Sequence, residues 1–256
     1  MAAPVVKKPI IMAFTLDFET GGLDCTTCAC TQIALHAVRI DTFETVDRYV
    51  RYIAPYNKQA DKGVKKRKVL KNKYDNEVEP MEYQQRALEY SAISMDMLKE
   101  SGLDIKQVAQ EIIEFIQRNT VSKGQSTKPF LIGQNIGFDI GFMQQLMEYG
   151  GMTKEWQKCV RGQKDFYGNF QPLYVDTIVL GQMALCHLEN INSYKLEILA
   201  EQMGVELDDA HDADADVAAT TNIAMVCAKR MRNISDNNDT SMVITKTEKS
   251  RKHFII

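Results

Sequence analysis

The sequence predicts an α/β chain in which a mixed sheet is flanked by helices, and three observations carry that reading. Three short runs of apolar and β-favouring residues follow one another before any helical pattern begins. Helical periodicity then dominates, most plainly at Val108, Ile112, Phe115 and Ile116, which fall on one face of a helix. Between helical stretches sits Phe130 to Gly133, apolar and too short for a helix, which reads as a buried strand.

The elements follow in order. Ile10 to Phe18 runs into Gly21-Gly22 and reads as a strand ending in a turn. Gln32 to Ile40 and Arg48 to Ala54 are the next two strands, so the domain opens with an antiparallel meander. Pro55 to Pro80 has weak periodicity and few large apolar residues, which fits a surface insertion. Helices are predicted over Met81 to Lys99 and Asp104 to Asn119, then over Phe138 to Tyr149 behind the buried strand. Past a polar stretch around Arg161 to Gln171, helices are predicted at Thr177 to Leu188, Ser193 to Met203 and Ala213 to Arg230. The polar tail from Asn233 onward is expected to be loosely attached, and no internal repeat is found.

Composition narrows the classes. With 256 residues, 45% apolar and 25% charged, the chain can bury a sizeable core and is too apolar for disorder throughout. Six scattered cysteines, and no charged-then-apolar leader within Met1 to Met12, lead us to expect a reduced, cytoplasmic compartment. No run approaches the ~20 apolar residues of a membrane helix, so no membrane association is expected. A net charge of −3 excludes coating of nucleic acid by bulk attraction to phosphate. The charge is uneven, however: Lys58 to Lys73 holds eight Lys or Arg against one acid, leaving the rest near −10. That run is either a solvated loop or a phosphate-contacting arm without sequence preference.

Three segments carry chemistry in combination. In Asp17-Phe18-Glu19-Thr20, strand alternation turns Asp17 and Glu19 to one face and Phe18 to the other. Two carboxylates so placed repel unless a cation or proton lies between them. Gly21-Gly22 beside them suggests close approach of a substrate backbone. Gln134-Asn135-Ile136-Gly137-Phe138-Asp139 is a strand-to-helix junction with an acid in the first helical turn, which alone would be no more than a favourable dipole interaction. His211-Asp212-Ala213-Asp214-Ala215-Asp216 sets a histidine five positions before an acid at the start of an alanine-rich helix, where capping is the plainer alternative.

Together, and in this order, the three segments resemble the motifs of the DEDDh exonucleases: Asp-x-Glu, then Asn-x-x-Phe-Asp, then His-x-Ala-x-x-Asp. The likeness spans roughly residues 10 to 230, with the proofreading (epsilon) subunits of bacterial replicative polymerases nearest in pattern and ribonuclease T a cousin. It implies a ribonuclease H-like mixed five-stranded sheet flanked by helices, an exonuclease domain at residues 8–232 with a basic insertion at about 55–80, and a polar tail at 233–256. Three features depart from the pattern: Gly133-Gln134 stands where His or Ala-His is usual, Ala34 where the second strand often has Glu, and the insertion has no counterpart.

The resemblance implies a 3′→5′ exonuclease using two divalent cations, Mg²⁺ or Mn²⁺, which suit hard oxygen ligands. Asp17 would bridge the ions, Glu19 and Asp216 would complete the site holding the attacking water, and Asp139 would support the second ion. His211 would accept the water's proton, its ordinary pKa of about 6.5 suiting that role. Thr20, Leu23, Asn135 and Phe138 would line the terminal-nucleotide pocket, with Leu23 as a wedge. Leu23 could equally pack inward from a turn, and Phe138 could anchor its helix in the core.

The substrate expected is a nucleic-acid 3′ end, DNA in preference to RNA, in proofreading or repair, and the resemblance admits a polymerase partner. RNA or oligonucleotide trimming is the alternative enzyme. A subunit that only grips a 3′ end is disfavoured, because all five chemical residues are kept. Asp209, Asp212 and Asp214 are read as solvated acids. Cys25, Cys28 and Cys30 invite a zinc reading with His36 as the nearest fourth ligand, but reduced surface thiols are favoured. Met143, Met147 and Met152 are read as packing.

Overall fold

The computed structural model describes residues 9–59, 79–122, 124–207 and 212–232. Strands β1 (Met12–Thr20), β2 (Cys30–Arg39) and β3 (Thr45–Tyr52) form the predicted antiparallel meander. Helices α1 (Gln85–Tyr90), α2 (Met95–Ser101) and α3 (Ile105–Asn119) follow, then β4 (Phe130–Gly133), α4 (Ile136–Tyr149) and α5 (Thr153–Cys159). A hairpin of β5 (Gly162–Lys164) and β6 (Phe170–Pro172) precedes β7 (Tyr174–Asp176), α6 (Thr177–Leu185), α7 (Leu196–Met203) and α8 (Ala213–Met231). The main sheet has the order β3-β2-β1-β4-β7, with β4 and β7 parallel to β1, and is the mixed five-stranded sheet expected.

Alternation along β1 divides the molecule. Phe14, Leu16 and Phe18 enter the main core with Phe115 of α3 and Phe142 of α4. On the opposite face Ala13 packs against Ala224 of α8, and Thr15 accepts a hydrogen bond from Thr221 of that helix at 2.9 Å. Asp17 and Glu19 continue this second face, so strand periodicity delivers them to the α8 side. Val108, Ile112, Phe115 and Ile116 are all fully buried, at about 1.5–3 kcal/mol for each large apolar side chain.

Several expectations need correction. The single helix over Met81 to Lys99 is two short ones, because Ala92 is left-handed at φ 53° and Ser94 restarts the helix by accepting from the Met97 N–H. Helix α5, the β5–β6 hairpin and β7 were not anticipated. The base of the insertion belongs to the fold: the Tyr56 hydroxyl accepts from the Cys30 N–H and donates to Gln145 Oε1, each at 2.7 Å. Its basic residues from 60 to 78, like the tail from 233, lie outside the described residues.

The thiols are not all at the surface. Cys28 and Cys30 are buried, and among the described residues the cysteines and His36 do not come together as a metal-holding group. Met143 and Met147 are core residues, as expected. Among the described residues no helix is long and apolar enough to cross a membrane.

Candidate active site

Asp17 and Glu19 stand at the end of β1, opposite Ala34 and Gln32 of β2. Asp216 comes from the first turn of α8, and one carboxylate oxygen from each of the three lies within 4.8 Å of the others. The contact that permits this approach runs through Ala34, which packs against Ala213 and Val217 of α8. A longer side chain there would have to displace this contact.

Asp139 lies against the same strand from the α4 side, outside that group of three. It is 2% exposed in the first turn of α4, and its Oδ1 accepts the Phe18 backbone N–H at 3.0 Å. Pairing of β4 with β1 covers only Ala13 to Thr15, so the Phe18 amide lies beyond it. The helix start is built around Asn135, left-handed at φ 54°, whose N–H donates to Asp176 Oδ1 at 3.1 Å. Gln134 donates to the Tyr194 carbonyl at 2.7 Å and accepts from the Thr177 hydroxyl. It thereby ties the segment before α7 to this junction.

The electrostatics favour a cation among these carboxylates. Burial first, then Asp216 and Asp212, raise Asp17 to about 7. Burial, Asp17, Asp216 and Asp212 raise Glu19 to about 8. Burial and then Asp17 hold Asp139 well above the carboxylate range, against the opposing Phe18 hydrogen bond. Clustered hard oxygens that resist ionisation without a counter-charge fit a divalent cation.

The linkage has a definite sign. Below the unfolded pKa near 4 both states are protonated and the site costs nothing. As pH rises through about 7 to 8 the folded carboxylates are forced to ionise together, and the metal-free fold loses stability. Millimolar Mg²⁺ or Mn²⁺ should therefore raise the melting temperature more at pH 8.5 than at pH 5.5. Calorimetric scans at both pH values check this, and an absent shift at pH 8.5 would count against the site.

The acids open into a cleft of about 1090 Å³. Thr20, Leu23, Asn135 and Phe138 all line it. Leu23 is 85% exposed and does not pack inward, while the Thr20 hydroxyl donates to the Gly22 carbonyl at 2.8 Å. Phe138 serves both readings, lining the cleft with its ring centroid 4.9 Å from that of Phe142. Gly21 is small for packing, since a Cβ there would lie 2.5 Å from the Glu82 carbonyl, while Gly22 lines the cleft.

His211 and Asp209 lie outside the described residues. Asp214, read as solvated, is instead engaged by His36 and Arg48, and Asp212 accepts from Gln32 at 3.4 Å. Sequence reasoning missed the cleft walls formed by Gln84, Arg86 and Tyr90 and by Tyr194, Lys195 and Glu197. Tyr90, 65% exposed, was hidden within the expected continuous helix.

The family model described as Exonuclease matches residues 60–224, more than half of the chain. The chain belongs to the exonuclease family. Its second and third motifs lie inside the match, and Asp17 and Glu19 precede it. The fold is similar to part of exonuclease I. The Escherichia coli enzyme in complex with a dT13 oligonucleotide superposes with a TM-score of 0.59 at 20% identity, over 87% of this chain and 42% of that one. A moderately thermophilic exonuclease I from Methylocaldum szegediense gives 0.57 at 20% identity, over 87% and 41%. The zinc-bound E. coli complex with single-stranded DNA gives 0.54 at 21% identity, over 87% and 41%. The chain thus spans about two fifths of the length of these structures. No curated protein matches it.

Proposed function

We propose that the protein is a metal-dependent 3′→5′ exonuclease hydrolysing phosphodiester bonds at nucleic-acid ends, with DNA preferred over RNA. The observation that carries this reading is the convergence of Asp17, Glu19 and Asp216 within 4.8 Å at the floor of a cleft, with Asp139 buried against the same strand.

Asp17, Glu19, Asp139 and Asp216 would hold two divalent cations, Mg²⁺ or Mn²⁺. Such ions, when bound, supply charge relief at the phosphoryl oxygens and lower the pKa of the attacking water. The chain's own residues do the rest. His211 accepts the water's proton at a ring nitrogen. Thr20 and Asn135 position the terminal nucleotide, Phe138 walls it and Leu23 wedges against its base. Arg86 and Lys195, both exposed on the cleft walls, offer cations to the strand's phosphates.

The oligonucleotides named with the E. coli structures, dT13 and dA16, support DNA as substrate. A place in replication or repair and a polymerase partner rest on the sequence resemblance alone, and a cytoplasmic location on the scattered cysteines. Time-resolved digestion of 5′-labelled and 3′-labelled single-stranded DNA, mismatched-end duplex and RNA, each with an EDTA control, tests the reading. Progressive shortening of 5′-labelled DNA, with immediate release of a 3′ label as mononucleotide, is expected. Faster digestion of RNA would favour the trimming alternative, and no metal-dependent digestion would overturn the proposal.

A further inference from the structure

His36 and Asp214 form a polar pair that the proposed chemistry leaves without a role. His36 lies fully buried on β2, two residues from Ala34 and on the same face of the strand. Its Nε2 is 2.5 Å from Asp214 Oδ1, while its Nδ1 is buried with no partner among the described residues. Burial holds the imidazole below its usual pKa, so the ring is neutral and its Nε2–H donates to the carboxylate. The second oxygen of Asp214 lies 3.6 Å from Arg48 Nη1 on β3.

Asp214 sits in the first turn of α8, two residues before Asp216. A first helical turn has backbone donors without intrahelical partners, and Asp212 gives this one no side-chain cap. The turn is held instead by contacts with β2: His36 to Asp214, and Gln32 to Asp212 at 3.4 Å. The same turn brings Asp216 within 4.8 Å of the Asp17 and Glu19 carboxylates, where like charges repel.

We propose that the buried His36–Asp214 pair is a positioning device that clamps the first turn of α8 to β2, so that Asp216 meets Asp17 and Glu19 as a preassembled cation site. This rests on the functional reading above and names the residues that fix the geometry of its metal site. Cation binding then need not draw the helix end into place, so the pair acts on metal affinity and not on turnover once metal saturates.

The test measures Mn²⁺ binding to the full chain by the electron-paramagnetic-resonance signal of the free ion, alongside the Mg²⁺ dependence of cleavage. His36→Leu should weaken Mn²⁺ binding about tenfold or more, the scale of losing a partner that orients a metal ligand, and raise the half-saturating Mg²⁺ in parallel. The rate at saturating Mg²⁺ should stay within about threefold of the original. His36→Gln keeps an N–H donor at similar reach and should recover most of the loss. Should His36→Leu not fold, Asp214→Ala removes the other partner from a half-exposed position and should weaken Mn²⁺ equally. Unchanged Mn²⁺ affinity in His36→Leu or in Asp214→Ala, or a His36→Gln variant no better than His36→Leu, would overturn the clamp. Asp216→Ala separates the two readings: if it leaves Mn²⁺ binding intact the metal site itself is wrong, whereas loss there with no effect of Asp214→Ala removes only the clamp.

Discussion

Asp17→Ala is expected to abolish nuclease activity, with a fall of at least about 10³-fold, while leaving the metal-free protein as stable as before or more so. A carboxylate that would help hold cations at the reacting phosphate is worth several kcal/mol of barrier, which sets the scale of the loss. Stability should move the other way because Asp17 is raised to about 7 by burial and by Asp216 and Asp212, so its ionised form is a burden on the metal-free fold at neutral pH. Asp139 calls for a different substitution. Its Oδ1 accepts the buried Phe18 N–H at 3.0 Å, and Asp139→Ala would strand that donor at roughly 1–3 kcal/mol. Asp139→Asn keeps an acceptor there and should abolish activity with the melting temperature nearly unchanged. Digestion of single-stranded DNA at saturating Mg²⁺, paired with thermal unfolding in EDTA, checks both variants. Activity within tenfold of the original for either would remove that residue from the site.

These contrasts follow from how far each residue's placement is decided locally. Asp17 and Glu19 were legible because strand alternation fixes their common face, and the apolar Phe14, Leu16 and Phe18 fix which face is core. Asp139 was legible as a first-turn acid, since a short buried strand and a helix bracket it, but its bond to Phe18 spans 121 residues and has no local signature. The His36–Asp214 contact spans 178 residues, and each partner alone had a plainer reading as a zinc ligand or a solvated acid. Strands β5, β6 and β7 have three residues each, too few to show a period. The break at Ala92 escaped because alanine rarely adopts a left-handed conformation, so the apolar pattern of Met81 to Lys99 runs through it unmarked. The missed cleft walls lie beside such breaks: Tyr90 closes α1 and Lys195 precedes α7.

The second large effect is expected at His211. In the proposed site the four carboxylates would serve as cation ligands, which would leave the water's proton to another group. His211, one residue before Asp212 at the head of α8, is the histidine that the third motif supplies for this role. His211→Ala should leave Mn²⁺ binding close to the original, since Asp17, Glu19, Asp139 and Asp216 all remain. Cleavage at saturating metal should slow by roughly 10²- to 10⁴-fold, the usual consequence of losing a general base. Asp212→Ala should cost far less, because that carboxylate lies outside the group of three and accepts from Gln32 at 3.4 Å. The pH profile gives an independent reading: the original rate should rise through an ionisation near about 6.5, as a histidine must be neutral to act as base. That rise should disappear in His211→Ala, and the residual rate should then follow only the ionisation of the attacking water. A variant with reduced rate but an unchanged profile would make His211 a residue of binding or folding. A variant that cleaved as fast as the original would place the base elsewhere.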